Sequence, residues 1–281
     1  MSRRELRNQH FFHIVDKSPW PLVCSLCALF LTSSAVLWFH TGVSFFFQFS
    51  FVFLLIASCL WFRDVIREGT FEGHHTIEVQ TSLKYGMFLF IVSEMMLFFS
   101  FFWTFFHSSL SPTTQIGSIW PPLEITVLNT WEVPALNTAI LLTSGASITL
   151  AHYALFKNDR MEVINGFLVT LFLAVLFTSF QLMEYFGSSY HISDSVYGSV
   201  FFTLTGFHGA HVFIGTCFIL VCFFRFLNYH FTPNHHFGFQ AASWYWHFVD
   251  VIWILLFCTV YLWGNSYNDS VNESVIRFFT K

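Results

Sequence analysis

Seven apolar stretches, separated by short polar gaps, organise the sequence: residues 21–39, 44–62, 85–106, 134–156, 163–186, 197–224 and 241–263. Each is close to the ~20 residues that an α-helix needs to cross a hydrocarbon core about 30 Å thick. The pattern predicts an all-α, polytopic membrane protein with seven transmembrane helices. Residues 40–43 leave so short a gap that the first two spans must form an antiparallel hairpin. Residues 63–84 make a longer gap that holds Arg63, Asp64, Arg67, Glu68, Glu72, His74, His75 and Glu78, an ionic patch at the lipid surface. The gap at 108–133 carries Trp120-Pro121-Pro122 and Trp131, amphipathic residues suited to the headgroup layer. Four parts follow: an N-terminal segment (1–20), the hairpin with its surface gap (21–83), a bundle of the remaining five spans (84–264) and a polar C-terminal extension (265–281).

Cations give the pattern a direction. Arg3, Arg4, Arg7 and Lys17 precede the first span, Arg63, Arg67 and Lys84 lie in the second gap, Lys157 and Arg160 in the fourth, and Arg225 borders the sixth. The opposite gaps hold none, and only Arg277 and Lys281 follow the last span. By the positive-inside rule the N-terminus faces cytoplasm or mitochondrial matrix, and the seventh span carries the C-terminus across. Residues 1–17 mix Arg with Glu5, Asp16, His10 and His13 and do not have the form of a signal or transit peptide.

Composition supports this reading: 55% hydrophobic residues, 10% charged residues and a mean hydropathy of +0.60 leave too little polar surface for a water-soluble globule. No basic patch suggests nucleic acid. The 41 Phe exceed what packing requires and carry no functional weight. All six Cys lie within spans, which argues against a disulfide framework, and Cys24-Ser-Leu-Cys27 lacks the βαβ context of a redox motif. Asn268 and Asn272 begin glycosylation-like triplets short enough to arise by chance.

Ionisable groups inside a bilayer need a reason to be there. Glu94 stands about ten residues into the third span. It is either an acid hydrogen-bonded to a neighbouring helix or a group that relays protons or binds a polar ligand. His208 and His211 share one face of the sixth span, as His247 and Asp250 do on the seventh. If those faces meet, the four could bind zinc, copper or iron, or they could form an interhelical polar network. Gly206 and Gly209 beside the histidines suggest close helix packing. On the basic side, Arg67 and Arg225 could grip lipid phosphates or serve only as topology charges.

Many of these residues lie in collinear motifs: Ser18-Pro-Trp-Pro21, Arg63-Asp-Val-Ile-Arg-Glu68, Gly73-His-His-Thr76, Phe101-Phe-Trp103, Trp120-Pro-Pro122, Leu136-Asn-Thr138, Thr205-Gly-Phe-His-Gly209, His235-His-Phe-Gly238 and Trp244-Tyr-Trp-His-Phe-Val-Asp250. From about Ser18 to Gly264 the chain resembles cytochrome c oxidase subunit III. The resemblance implies a two-helix hairpin splayed from a five-helix bundle, with a lipid-filled cleft. It implies no active site, haem or copper in this chain, those centres belonging to subunits I and II. Glu94 matches a membrane-embedded carboxyl that reacts with carbodiimides, and Arg67, Glu68, His75, His211 and Arg225 match positions near bound phospholipids. Expected partners are subunits I and II, accessory subunits and phospholipids in the mitochondrial inner membrane, with the N-terminus in the matrix and the C-terminus in the intermembrane space. The expected role is support of subunit I, its proton uptake and the protection of its binuclear centre during turnover. Phe62 replaces a usual Trp and Gln240 a usual Glu, and the extension past Gly264 is absent from most relatives. Two competing classes are a stand-alone membrane haem or metal enzyme built on His208, His211, His247 and Asp250, and a proton-coupled transporter, which the lack of inverted repeats opposes.

Overall fold

The computed structural model describes residues 12–122 and 125–264. Seven helices are long and apolar enough to cross a membrane: α1 (Trp20–Thr41), α2 (Phe45–Thr70), α3 (Ile77–Leu110), α4 (Val133–Phe156), α5 (Arg160–Gly187), α6 (Val196–Leu227) and α7 (Phe237–Leu256), the last continued by a π-helical turn at Phe257–Trp263. Among the described residues the β content is one isolated bridge, Thr232 to His235. The expected extension at 265–281, with Asn268 and Asn272, lies outside the described residues, as do Arg3, Arg4 and Arg7.

Local sequence sets the helix ends. Pro21 and Pro134 stand in the first turns of α1 and α4, where a missing N–H costs nothing. Gly42 closes α1 at φ 75°, its N–H reaching the Trp38 carbonyl, a left-handed cap that glycine adopts without Cβ strain. The Asp159 carboxylate accepts from the Met161 and Glu162 amides at the start of α5, and Ser195 accepts from Gly198 at the start of α6.

The spans outrun their apolar cores. The expected ionic gap at 63–84 is mostly helix: α2 continues to Thr70 and α3 begins at Ile77. Arg63, Arg67 and Glu68 therefore project from a helix end, and Glu78 and Lys84 from a helix start. Hydropathy marks where lipid ends, whereas the i to i−4 ladder continues until a residue such as Gly73, at φ 70°, breaks it. At 34 residues, α3 spans about 50 Å at 1.5 Å per residue, well beyond the hydrocarbon layer.

The chain divides into two compact units, residues 1–85 and 86–281. In the first, α1 and α2 form the expected hairpin. Their buried residues are few and small, Ser34 on α1 with Ser50, Ala57 and Gly69 on α2. The Ser34 and Ser50 hydroxyls meet at 2.8 Å, the small-residue, hydroxyl-mediated contact that joins helices where lipid supplies no hydrophobic drive. Trp38 stacks on Phe47 at 5.2 Å.

In the second unit α4 and α7 are central, with half of each span buried against 28% for α5 and 33% for α6. Trp246 and Trp253 of α7 are fully buried, and each indole N–H finds a hydroxyl on α4: Ser144 at 2.9 Å and Thr138 at 3.0 Å. The α4–α5 seam closes through Ser147 and Thr170, whose hydroxyls meet at 2.7 Å, and through Gly166, which lies against Ala151. Gly206 and Gly209 do not make the close approaches expected of them, since a Cβ on either would meet nothing within 4 Å. Tight contacts fall at Gly145, Gly166, Gly198, Gly215 and Gly238 instead.

Candidate functional site

Glu94 lies about midway along α3, and its partner is His211 of α6. Glu94 Oε2 and His211 Nε2 are 2.9 Å apart, and the other ring nitrogen, Nδ1, lies 2.7 Å from the Phe207 carbonyl. A carbonyl oxygen only accepts, so Nδ1 carries a hydrogen. The Nε2 to Oε2 contact therefore holds one proton, as carboxylic acid with imidazole or as carboxylate with imidazolium. Phe98 and Tyr245 rings bracket the imidazole at 5.0 and 6.2 Å. Two ionisable groups thus satisfy each other inside the spans. Nothing in the sequence around Glu94 indicates this partner, which tertiary packing supplies.

The four residues that could have shared a metal are dispersed. His208, 1% exposed, donates from Nε2 to the Val249 carbonyl at 3.2 Å and stacks obliquely on Trp253 at 5.0 Å. His211 is committed to Glu94 and Phe207. His247 and Asp250 keep their i, i+3 pairing, but at 3.7 Å between Nδ1 and Oδ2. Thr149 uses its hydroxyl hydrogen on the Gly145 carbonyl, so His247 Nε2 donates to Thr149 Oγ1 at 3.1 Å. Asp250 presses on Gly145, where any Cβ would collide with its Oδ2. No three His, Cys, Asp or Glu side chains among the described residues converge as a metal would require. The imidazoles act as ties between α3, α4, α6 and α7.

The headgroup candidates fall in both units. In the first, Arg67 is exposed and Glu68 half-buried on the last turns of α2. His75 packs against Gly69, its Nδ1 2.6 Å from where a Cβ would stand, and meets the His13 ring edge-on at 5.4 Å. Nearby, Arg63 donates through Nε and Nη2 to Asp64 Oδ1, while the Trp20 indole N–H donates to Oδ2 at 2.5 Å. In the second unit Arg225 lies over the Phe231 ring at 4.4 Å, and Gly238 leaves room for its Nη1. Arg160 donates to the Leu227 carbonyl at 3.1 Å and stacks on Tyr229 at 3.9 Å. His230, in the loop after α6, is held below its usual pKa by burial and by the Arg225 guanidinium. A guanidinium stacked on an aromatic ring in this way is held in a fixed plane.

Glu184 of α5 escapes a sequence reading. It is 6% exposed and accepts from the Tyr261 hydroxyl at 2.7 Å. The tyrosine comes from the π-helical turn at Phe257–Trp263, 77 positions further along the chain. His152, on α4, escapes it too. Its ring meets those of His236 and Phe239, each at 5.2 Å.

Residues 10–265 match the family model for cytochrome c oxidase subunit III. Cytochrome c oxidase subunit 3 of Canis lupus is 54% identical over 91% of the chain and 98% of its own length. The protein of that name from Pisaster ochraceus is 53% identical over 92% of the chain and its whole length, and that from Prototheca wickerhamii 53% over 92% and 99%.

Proposed function

Because the chain belongs to the cytochrome c oxidase subunit III family, we propose that it acts as a non-catalytic core subunit, stabilising subunit I, sustaining proton uptake there and holding structural phospholipids while oxygen is reduced to water. Family membership makes it a multi-pass membrane component of respiratory complex IV and part of an oxidoreductase assembly. In that assembly haem and copper sit in other subunits.

The observation that carries the non-catalytic reading is the dispersal of the intramembrane donors: His208, His211 and His247 each spend a ring nitrogen on a neighbouring helix or turn. Glu94→Gln preserves a side chain that can both donate and accept, so the haem and copper absorption spectra of the purified complex should be unchanged. Their loss from a complex that still assembles would restore a metal role to these residues.

Phospholipid binding is the second element of the proposal. On the first unit Arg67, Glu68 and His75 supply a cation and hydrogen-bonding groups, and on the second Arg225 does so with its charge backed by Phe231, whereas both ring nitrogens of His211 are engaged by Glu94 and Phe207. Arg225→Ala should lower the phospholipid retained per complex after mild detergent purification, measured by mass spectrometry. Unchanged lipid content would remove Arg225 from the headgroup site. The placement of the basic gaps supports a matrix-facing N-terminus and an intermembrane-space C-terminus in the mitochondrial inner membrane.

A further inference from the structure

Many buried polar side chains in the second unit are paired. Ser144 receives the Trp246 indole, Ser147 meets Thr170, and the Tyr185 hydroxyl donates to Thr205 at 2.8 Å. One level differs. Asn137 (0% exposed) has both amide atoms without a hydrogen bond, Gln181 (5%) lies beside the Tyr185 and Tyr261 hydroxyls with both amide atoms short of a well-formed hydrogen bond, and Glu184 (6%) has one carboxyl oxygen bonded to Tyr261 and the other unpartnered.

These three groups share one place. Antiparallel α4 and α5 are registered by Ser147 against Thr170 and by Ala151 against Gly166. Carried along the pair, that register sets Asn137 level with Phe180 and Gln181. Gln181 and Glu184, three apart, share a face of α5. Thr138, beside Asn137, is fastened to Trp253 of α7, and Tyr261 is fastened to Glu184. The unsatisfied atoms thus collect where α4, α5 and the end of α7 meet, on the side away from Lys157 and Arg160.

More than nine in ten buried polar atoms have a partner, and each one left alone costs about 1–3 kcal/mol. Five together call for an occupant. Two carboxamide N–H₂ groups can only donate, whereas the carboxamide and carboxyl oxygens accept. A bare cation would be repelled by the amide hydrogens and an anion by the oxygens. A molecule that both donates and accepts suits the mixture, and this holds whichever way each amide is turned.

We propose that Asn137, Gln181 and Glu184 form an internal hydration site, a small cluster of ordered water that joins α4 and α5 to the end of α7. Buried waters of this kind commonly make about three hydrogen bonds each to such groups.

The test is a map of the intact oxidase at a resolution that shows ordered water, paired with radiolytic hydroxyl labelling. A peak about 2.7–3.2 Å from at least two of the three side chains is expected, together with labelling of Tyr261, which is only 1% exposed. Asn137→Leu with Gln181→Leu should cut that labelling several-fold. Amides turned directly onto the Tyr185 and Tyr261 hydroxyls with no peak between, a peak at cation-ligand distances of about 2.0–2.6 Å, or labelling equal in the variant would each overturn the proposal. If the double variant fails to assemble, the wild-type map decides alone.

Discussion

Gly166→Leu should strip most of this subunit from the assembled oxidase, measured as its ratio to the haem-copper subunits after purification. A Cβ at position 166 would stand 2.6 Å from the Ala151 Cβ, 3.1 Å from its Cα and 3.1 Å from the Ser147 carbonyl. Two of these neighbours are backbone and cannot rotate away, so α4 and α5 must part. Parting also separates Ser147 from Thr170, the hydroxyl pair that closes the seam. Overpacking alone costs about 1–3 kcal/mol, and the lost hydrogen bond adds about 1 kcal/mol. Gly206→Leu is the control: nothing lies within 4 Å of its Cβ position, and assembly should be near normal. Equal assembly of the two variants would rule out the packing described for α4 and α5.

Glu94→Lys should be about as damaging, for an electrostatic reason. It places an ammonium against the Nε2 of His211, whose other nitrogen already donates to Phe207, so that the new charge faces a neutral imidazole at best and has no counter-charge. Glu94 stands about midway along the 34 residues of α3, too far from either end for a lysine stem to carry its charge to the interface. A buried charge that loses its partner costs about 3–5 kcal/mol, and translocon scales give about 3 kcal/mol for lysine at a helix centre. Glu94→Gln should be mild by comparison. The series Gln, Leu, Lys is therefore expected to fall monotonically in thermal stability of the complex, with Leu intermediate because it leaves one imidazole nitrogen unmatched. A lysine variant as stable as the glutamine variant would show that the pair contributes little to the fold.

The seven spans were legible in the sequence because an uninterrupted apolar run of bilayer length is hard to bury any other way, and the short gap at 40–43 could be bridged only by a hairpin. The motifs from Ser18 to Asp250 carried the family. Less visible were the relations between helices. Hydropathy ended the second span near Phe62, whereas hydrogen bonding carries α2 to Thr70, because polar residues continue a helix once they reach water. Glycine next to histidine suggested close packing at Gly206 and Gly209, but a glycine marks a close approach only if it faces a neighbour. Gly145, Gly166 and Gly215 do, and no local pattern distinguishes them. The Glu94–His211 and Glu184–Tyr261 pairs join residues 117 and 77 positions apart. Helical periodicity places His208 with His211 and His247 with Asp250, but it does not fix what each face meets across the bundle.

If this chain supports oxidase turnover without taking part in electron transfer, removing it should change how long the enzyme works and leave its redox centres in place. The most direct measurement compares the intact complex with complex depleted of this subunit, following oxygen consumption through sustained turnover alongside the haem and copper spectra. The expected result is unchanged spectra and a comparable initial rate, followed by faster loss of activity in the depleted complex. Spectra that lose a redox centre along with this chain, or activity that decays identically with and without it, would refute a supporting, non-catalytic role.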